Sequence, residues 1–287
     1  MWPSATVDSV MKQQEINLDF SRRQVMTIVN VTPDSFFAGS RTPDWLDVER
    51  RVREAVEAGA SVIDVGGYSS RSGADEVSPE EEWRRVDLGV GAVRSLSSDL
   101  PVSIDTFRSS VAARAIHKYG KVIINDISAG ELDPLIVDVA AEHDVPYVAM
   151  HMKGDPKTMQ SLTDYKRDIT AEVVAYFEAR VAALLAAGIA REHLVLDPGF
   201  GFAKTTEQNY ELLAGLHRLC ALGYPVLAGL SRKSMIYKLL GTTPAEALNG
   251  TTALHWECLR QGAVILRAHD TREAVEVVRM FDQFMQA

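Results

Sequence analysis

The chain has 287 residues, 46% of them apolar, enough for a sizeable core in one large domain or two small ones. Its net charge of −9 argues against a nucleic-acid partner, which needs a concentrated basic surface, but leaves room for an anionic small molecule that reads only local charge. The two cysteines, Cys220 and Cys258, form no CxxC and no ligand cluster, which points to a reducing compartment, expected to be the cytoplasm, and no run of about 18 apolar residues predicts a membrane span.

Residues 1–24 read as an N-terminal extension to a main domain over 25–287. They begin as a loose tail over 1–13 and lack the apolar stretch of a secretory signal. Over 15–20, Ile16, Leu18 and Phe20 alternate, which predicts a short strand or hairpin arm. From Val25 the pattern becomes regular. A strand over 25–30 precedes a helix over 47–58 that stops at Gly59. The second strand, 62–65, leads into a helix over 79–96. Ser78 is its N-cap, Pro79 its first residue, and Glu80, Glu81 and Glu82 lie in its first turn. Strands are predicted next over 102–105, 122–125 and 147–150. The helix over 166–187 places Ile169, Val173, Phe177, Val181 and Leu184 on one stripe and ends at Gly188. Strands over 194–197, 226–228 and 264–267 follow, and a helix over 271–286 closes the chain. Eight strand–helix units predict an α/β fold, a closed (β/α)8 TIM barrel of one domain. An open doubly wound sheet is the alternative, but no GxGxxG follows the first strand.

Buried parallel strands should be apolar throughout. These turn polar at their C-terminal ends: Asn30, Asp64, Asp105, Asn125-Asp126, His151, Asp197, Ser231-Arg232-Lys233, and Arg267-Ala268-His269. Barrel enzymes carry their active sites on that face. A lone Asp there is usually a helix cap, but Arg71, Lys233 and Arg267 cannot accept from helix amides. Arg71, Lys233, Arg267 and His269 suit an anion such as a phosphate, with surface salt bridges as the plain alternative. Asp105, Asn125 and Asp197 suit a ring presenting several N–H donors, or else support the basic group. Asn30 with Asp34 offers oxygens of the kind Mg²⁺ accepts. Phe36, Phe37 and Phe202 offer flat walls for a ring, unless they only pack loops onto the barrel.

In this order the motifs resemble the dihydropteroate synthase family. The match includes Asn30-Val31-Thr32-Pro33-Asp34-Ser35-Phe36, Asp64-Val65-Gly66-Gly67-Tyr68-Ser69-Ser70-Arg71, Ile104-Asp105-Thr106 and Ile124-Asn125-Asp126. It continues through Met150-His151-Met152, Leu196-Asp197-Pro198-Gly199-Phe200-Gly201-Phe202, Ser231-Arg232-Lys233 and Arg267-Ala268-His269. The resemblance implies condensation of 6-hydroxymethyl-7,8-dihydropterin diphosphate with p-aminobenzoate by a homodimer. It implies pterin binding by Asp105, Asn125, Met150, Asp197 and Lys233, and diphosphate binding by Ser70, Arg71, Arg267 and His269. It further implies a p-aminobenzoate slot at Phe36, Ser72, Phe202 and Ser231, Mg²⁺ at Asn30, and catalysis by Asp105, Lys233 and Arg267. Two loops depart from the family pattern: Ser70-Arg71-Ser72 stands where Thr-Arg-Pro is usual, and Phe37-Ala38-Gly39-Ser40 where Ser-Asp-Gly-Gly is usual. A pterin-dependent methyltransferase would share the pterin residues but has no diphosphate for the basic set. A catalytically silent binding barrel would lack one of the two sets.

Overall fold

In the computed structural model, which describes residues 16, 18–32, 44–69 and 76–286, the β-branched runs become eight strands. They are β1 (Gln24–Asn30), β2 (Val62–Gly66), β3 (Val102–Asp105), β4 (Ile123–Asp126), β5 (Tyr147–Met150), β6 (Leu194–Asp197), β7 (Leu227–Ala228) and β8 (Ile265–Ala268). All pair in parallel, in the order β6-β5-β4-β3-β2-β1-β8-β7. Leu196 of β6 bridges to Val226 beside β7, its N–H donating to the Pro225 carbonyl at 2.9 Å, which brings the two ends of the sheet together as a barrel.

The helices between strands are α1 (Trp45–Glu57), α2 (Pro79–Leu96), α3 (Ser109–Tyr119), α4 (Leu135–Glu142) and α5 (Ile169–Ala186). After β6 come α6 (Thr206–Ala214) and α7 (Leu216–Cys220), after β7 come α8 (Ser234–Tyr237) and α9 (Leu248–Arg260), and α10 (Thr271–Met285) follows β8. Among the described residues no helix is long and apolar enough to cross a membrane. Ser78 caps α2 as its sequence predicts, accepting from the Glu81 N–H at 3.2 Å. The fifth helix begins at Ile169 rather than 166, because Asp168 takes the N-cap and accepts from the Ala171 N–H at 2.8 Å. β4 and β8 lie one residue further along than expected, and Val226 contributes only a bridge, so β7 is shorter.

The strand or hairpin arm expected over 15–20 is not formed by the described residues Ile16 and Leu18–Phe20. The backbone turns there instead: Phe20 N–H donates to the Leu18 carbonyl at 3.1 Å and Arg22 N–H to the Asp19 carbonyl at 3.2 Å. The alternation has a different use. Ile16, Leu18 and Phe20 pack against Met26, Val62, Ile123, Val148, Val195, Leu227 and Ile265, which fill the N-terminal end of the barrel.

Those seven residues define the inward face of their strands. Side chains alternate along a strand, so two positions on the same face is occupied by Ile28, Asp64, Asn125, Met150, Asp197, Gly229 and Arg267. The register adds Ser103 beside Asp64, and Asp105 beside both Gly66 and Asn125. The barrel interior therefore changes from an apolar floor to a polar layer within one inward step.

Candidate functional site

The polar layer is organised around one guanidinium. Arg267 donates from Nε to Asp64 Oδ2 at 2.7 Å and from a terminal nitrogen to Asp105 Oδ2 at 2.6 Å. Asn125 donates its amide to Asp64 at 3.3 Å and 3.4 Å, which leaves its side-chain carbonyl as an acceptor. Burial pushes Asp105 up to about 7; Arg267 opposes the rise and Asp64 adds to it. Asp105 stands at the rim with its side chain 15% exposed, so solvent screens part of that effect. Burial opposes the charge on Arg267, but Asp64 and Asp105 hold it above its ordinary value.

Two inward positions are glycines, whose bare backbone lies close to these groups. A Cβ on Gly229 would stand 3.6 Å from Asp197 Oδ2 and 3.8 Å from the Arg267 stem. A Cβ on Gly66 would stand 2.8 Å from Asn30 Oδ1 and 3.7 Å from Asp105. The second oxygen of Asp197 thus lies near the bare backbone of Gly229, while its first accepts from the Gly199 N–H at 2.7 Å. Burial raises the Asp197 carboxyl, against the pull of Lys233, Arg267 and Lys204.

The loop after β6 forms one wall. Gly199 has φ +68°, where a side chain is strained, and a Cβ there would run into the His151 carbonyl. Lys233, at the N-terminus of α8, crosses Gly201, donates Nζ to the Phe200 carbonyl, and lies 4.7 Å from the centre of the Phe202 ring. Burial lowers Lys233 to about 8, with Asp197 opposing. Met150 and Phe202 belong to an apolar cluster with Ile127, Met152 and Met159 at the same mouth. Arg232 holds the β7–α8 loop: it adopts φ +55° and forks onto both oxygens of Asp270 at 2.8 Å. On one side of it Ser231 Oγ accepts from the His269 N–H and meets His269 Nδ1, each at 3.2 Å.

Asp105, Asn125, Met150, Asp197, Arg267 and Lys233 therefore converge as the sequence suggests, with Asn30 at the end of β1 beside Gly66. Ser231 and His269, expected in the p-aminobenzoate and diphosphate subsites respectively, are hydrogen-bonded to each other. Phe36, Ser70, Arg71 and Ser72, with Asp34 and Phe37, lie outside the described residues. Two participants carry no assigned role from sequence. Asp64 shares Arg267 with Asp105. Lys204, nearly fully buried, donates to the Gly199 and Phe202 carbonyls and meets His151 Nδ1, each at 3.0 Å. Asp64 stands out as a charge inside an apolar run; nothing local distinguishes Lys204 from a surface lysine.

The site holds an anionic carboxylate set, two cations and an aromatic wall at one mouth of the barrel, which suits a flat, N–H-rich ring bearing an anionic group. A family model described as pterin binding enzyme matches residues 26–269. The chain is 44% identical to the dihydropteroate synthase of Escherichia coli K12 over 274 residues, covering 96% of each. Among solved structures it resembles the Yersinia pestis dihydropteroate synthase with a sulfonamide drug complex (TM-score 0.89, 38% identity, 96% of this chain and 99% of that one). It also resembles the Xanthomonas albilineans dihydropteroate synthase in complex with 7,8-dihydropteroate (TM-score 0.84, 37% identity, 94% and 96%).

Proposed function

The chain belongs to the dihydropteroate synthases of the pterin-binding enzyme family, and from that premise we propose how its residues divide the work. The reaction joins 6-hydroxymethyl-7,8-dihydropterin diphosphate to p-aminobenzoate and releases 7,8-dihydropteroate and diphosphate. The observation that carries the assignment of roles is the step inside the barrel from an apolar floor to the Asp64, Ser103, Asn125, Asp197 and Arg267 layer.

The pterin ring enters beside Gly229. Asp197 accepts from its N–H groups, Asn125 offers its carbonyl, and Met150 packs on the ring. The C–O bond from the methylene to the diphosphate breaks as the p-aminobenzoate nitrogen bonds to that carbon, and the amine then loses a proton to solvent. Positive charge builds on the pterin and negative charge on the leaving group. Asp105 stabilises the first; Arg267, His269, Ser70 and Arg71 take the second, while Lys233 binds the pterin. Arg267 still has a terminal nitrogen for an anion beyond its bonds to Asp64 and Asp105. The weakly basic aniline is a free amine at neutral pH and needs no strong base. Phe202, Ser231, Phe36 and Ser72 bound the p-aminobenzoate slot, where a sulfonamide would also sit.

Mg²⁺ fits at Asn30. Its amide oxygen is a hard donor facing the mouth at Gly66, and among the described residues no group of three His, Cys, Asp or Glu competes for the ion. Diphosphate oxygens and waters would supply the other ligands, the usual mode for this cation. When bound, Mg²⁺ neutralises charge on the departing diphosphate.

We further propose a homodimer in a reducing, cytoplasmic setting. Met280 and Phe284, one turn apart on α10, are exposed, with Phe284 edge-on to Trp256 of α9, which supports an apolar contact between copies. Cys220 and Cys258 are unpaired thiols, and burial pushes Cys220 up to about 11, in its inert form.

Calorimetry with the pterin diphosphate tests the assignment. Asp197→Asn places an NH2 against ring donors and is expected to weaken binding by about 1–3 kcal/mol. Unaltered affinity would make Asp197 a structural residue.

A further inference from the structure

We propose that Lys204 is a positioning residue for Asp197 and for the aromatic wall Phe202: its ammonium, buried beneath the β6–α6 turn, ties acceptors on two loops into one unit. An ammonium has three donors, and three acceptors surround this one at 3.0 Å: the Gly199 carbonyl, the Phe202 carbonyl and His151 Nδ1. His151 begins the loop after β5, and its own N–H donates to the Asp197 carbonyl at 3.0 Å. Its ring packs edge-on against Tyr176 with centroids 4.8 Å apart, so it is an anchored partner. On the mouth side Lys233 donates to the intervening Phe200 carbonyl. Two lysines therefore grip three carbonyls of the Gly199-Phe200-Gly201-Phe202 turn, one from below and one from the substrate side.

The same arrangement acts on charge. Asp197 faces Lys233, Arg267 and Lys204; Lys204 faces Asp197, Lys233, Lys153 and the ring of His151. Burial lowers Lys204 to about 7, and Asp197 is the group opposing that fall. Each of Lys204 and Asp197 thus favours the charged form of the other, and the carboxylate form of Asp197 is the one that accepts from a pterin. His151 does not compete for the proton: burial, with Lys204 and Lys153 beside it, holds the ring well below its ordinary value, hence neutral with Nδ1 as acceptor.

The inference rests on Asp197 taking the pterin, so calorimetry of the unmodified protein with 6-hydroxymethylpterin comes first; no binding there overturns that assignment and this proposal together. Given binding, Lys204→Met, which keeps the stem and removes charge and donors, is expected to bind about tenfold more weakly. The acid limb of its pterin binding should also move to higher pH, because Asp197 has lost a cation that favours its ionised form. Unchanged affinity, or weaker binding with an unmoved acid limb, overturns the positioning role and leaves the pterin assignment standing. Should the variant not fold, nitrogen NMR of the histidines in the unmodified protein decides. A neutral His151 carrying its proton on Nε2 is the expected result, and a proton on Nδ1 overturns the proposal.

Discussion

Asp105 and Lys233 titrate toward one another. Burial lifts the carboxyl to about 7 against the opposing pull of Arg267, and burial drops the ammonium to about 8 against Asp197. Transfer needs Asp105 as the carboxylate and Lys233 as the ammonium. The value of kcat/KM for the pterin diphosphate should therefore rise with pH as Asp105 loses its proton and fall as Lys233 loses its own. A bell with its crest between about 7 and about 8 is expected, and Asp105→Asn should alter its acid side, leaving the limb that Asp197 sets, along with lowering the rate. Steady-state kinetics across that range check it; an acid limb left unchanged in Asp105→Asn belongs to another group. The residues legible in the sequence are those whose polarity contradicts a buried strand: Asp105, Asn125, Asp197 and Arg267. Lys204 was illegible because its burial comes from loops that fold over it, and the Ser231–His269 pair because its members are 38 residues apart.

At the scale of elements, α2 does more than cover the barrel. Glu82, in its first turn, is fully buried, accepts from Thr106 Oγ1 at 2.5 Å and pairs with Arg108, which lies over the rings of Tyr68 and Phe107. That contact holds the loop leaving β3 just past Asp105 and the loop leaving β2. Glu82→Ala leaves Arg108 and the Thr106 hydroxyl without their acceptor and is expected to destabilise the protein by about 3–5 kcal/mol. Urea unfolding measures it, and a loss within about 0.5 kcal/mol, typical of surface substitutions, would contradict the role. In sequence Glu82 reads as one of three acids suited to the positive end of a helix, and Glu80 and Glu81 do remain on the surface side. Only packing separates the third. The same limit explains the expected arm over 15–20: alternation signals which side chains are covered, but not whether the backbone pairs or turns.

Across the whole molecule, the repeat of strand and helix made the barrel legible, since eight parallel units suit closure and no GxGxxG turn follows the first strand to favour an open doubly wound sheet. The outer surface is less legible, because α10 carries apolar residues on both its core side and its exposed side. Phe281 is buried, while Met280 and Phe284 are exposed. Phe284→Asp should therefore shift the protein toward monomer in sedimentation, and an unchanged mass would place any self-association elsewhere. The opposite, C-terminal mouth is expected to join the two substrates as one unit. Its most direct test follows diphosphate and 7,8-dihydropteroate together in a mixture of the protein, pterin diphosphate, p-aminobenzoate and Mg²⁺. Both products are expected to appear at equal rates, neither is expected without p-aminobenzoate, and excess chelator is expected to stop both. Diphosphate release without dihydropteroate, or no turnover at saturating substrates, would contradict it.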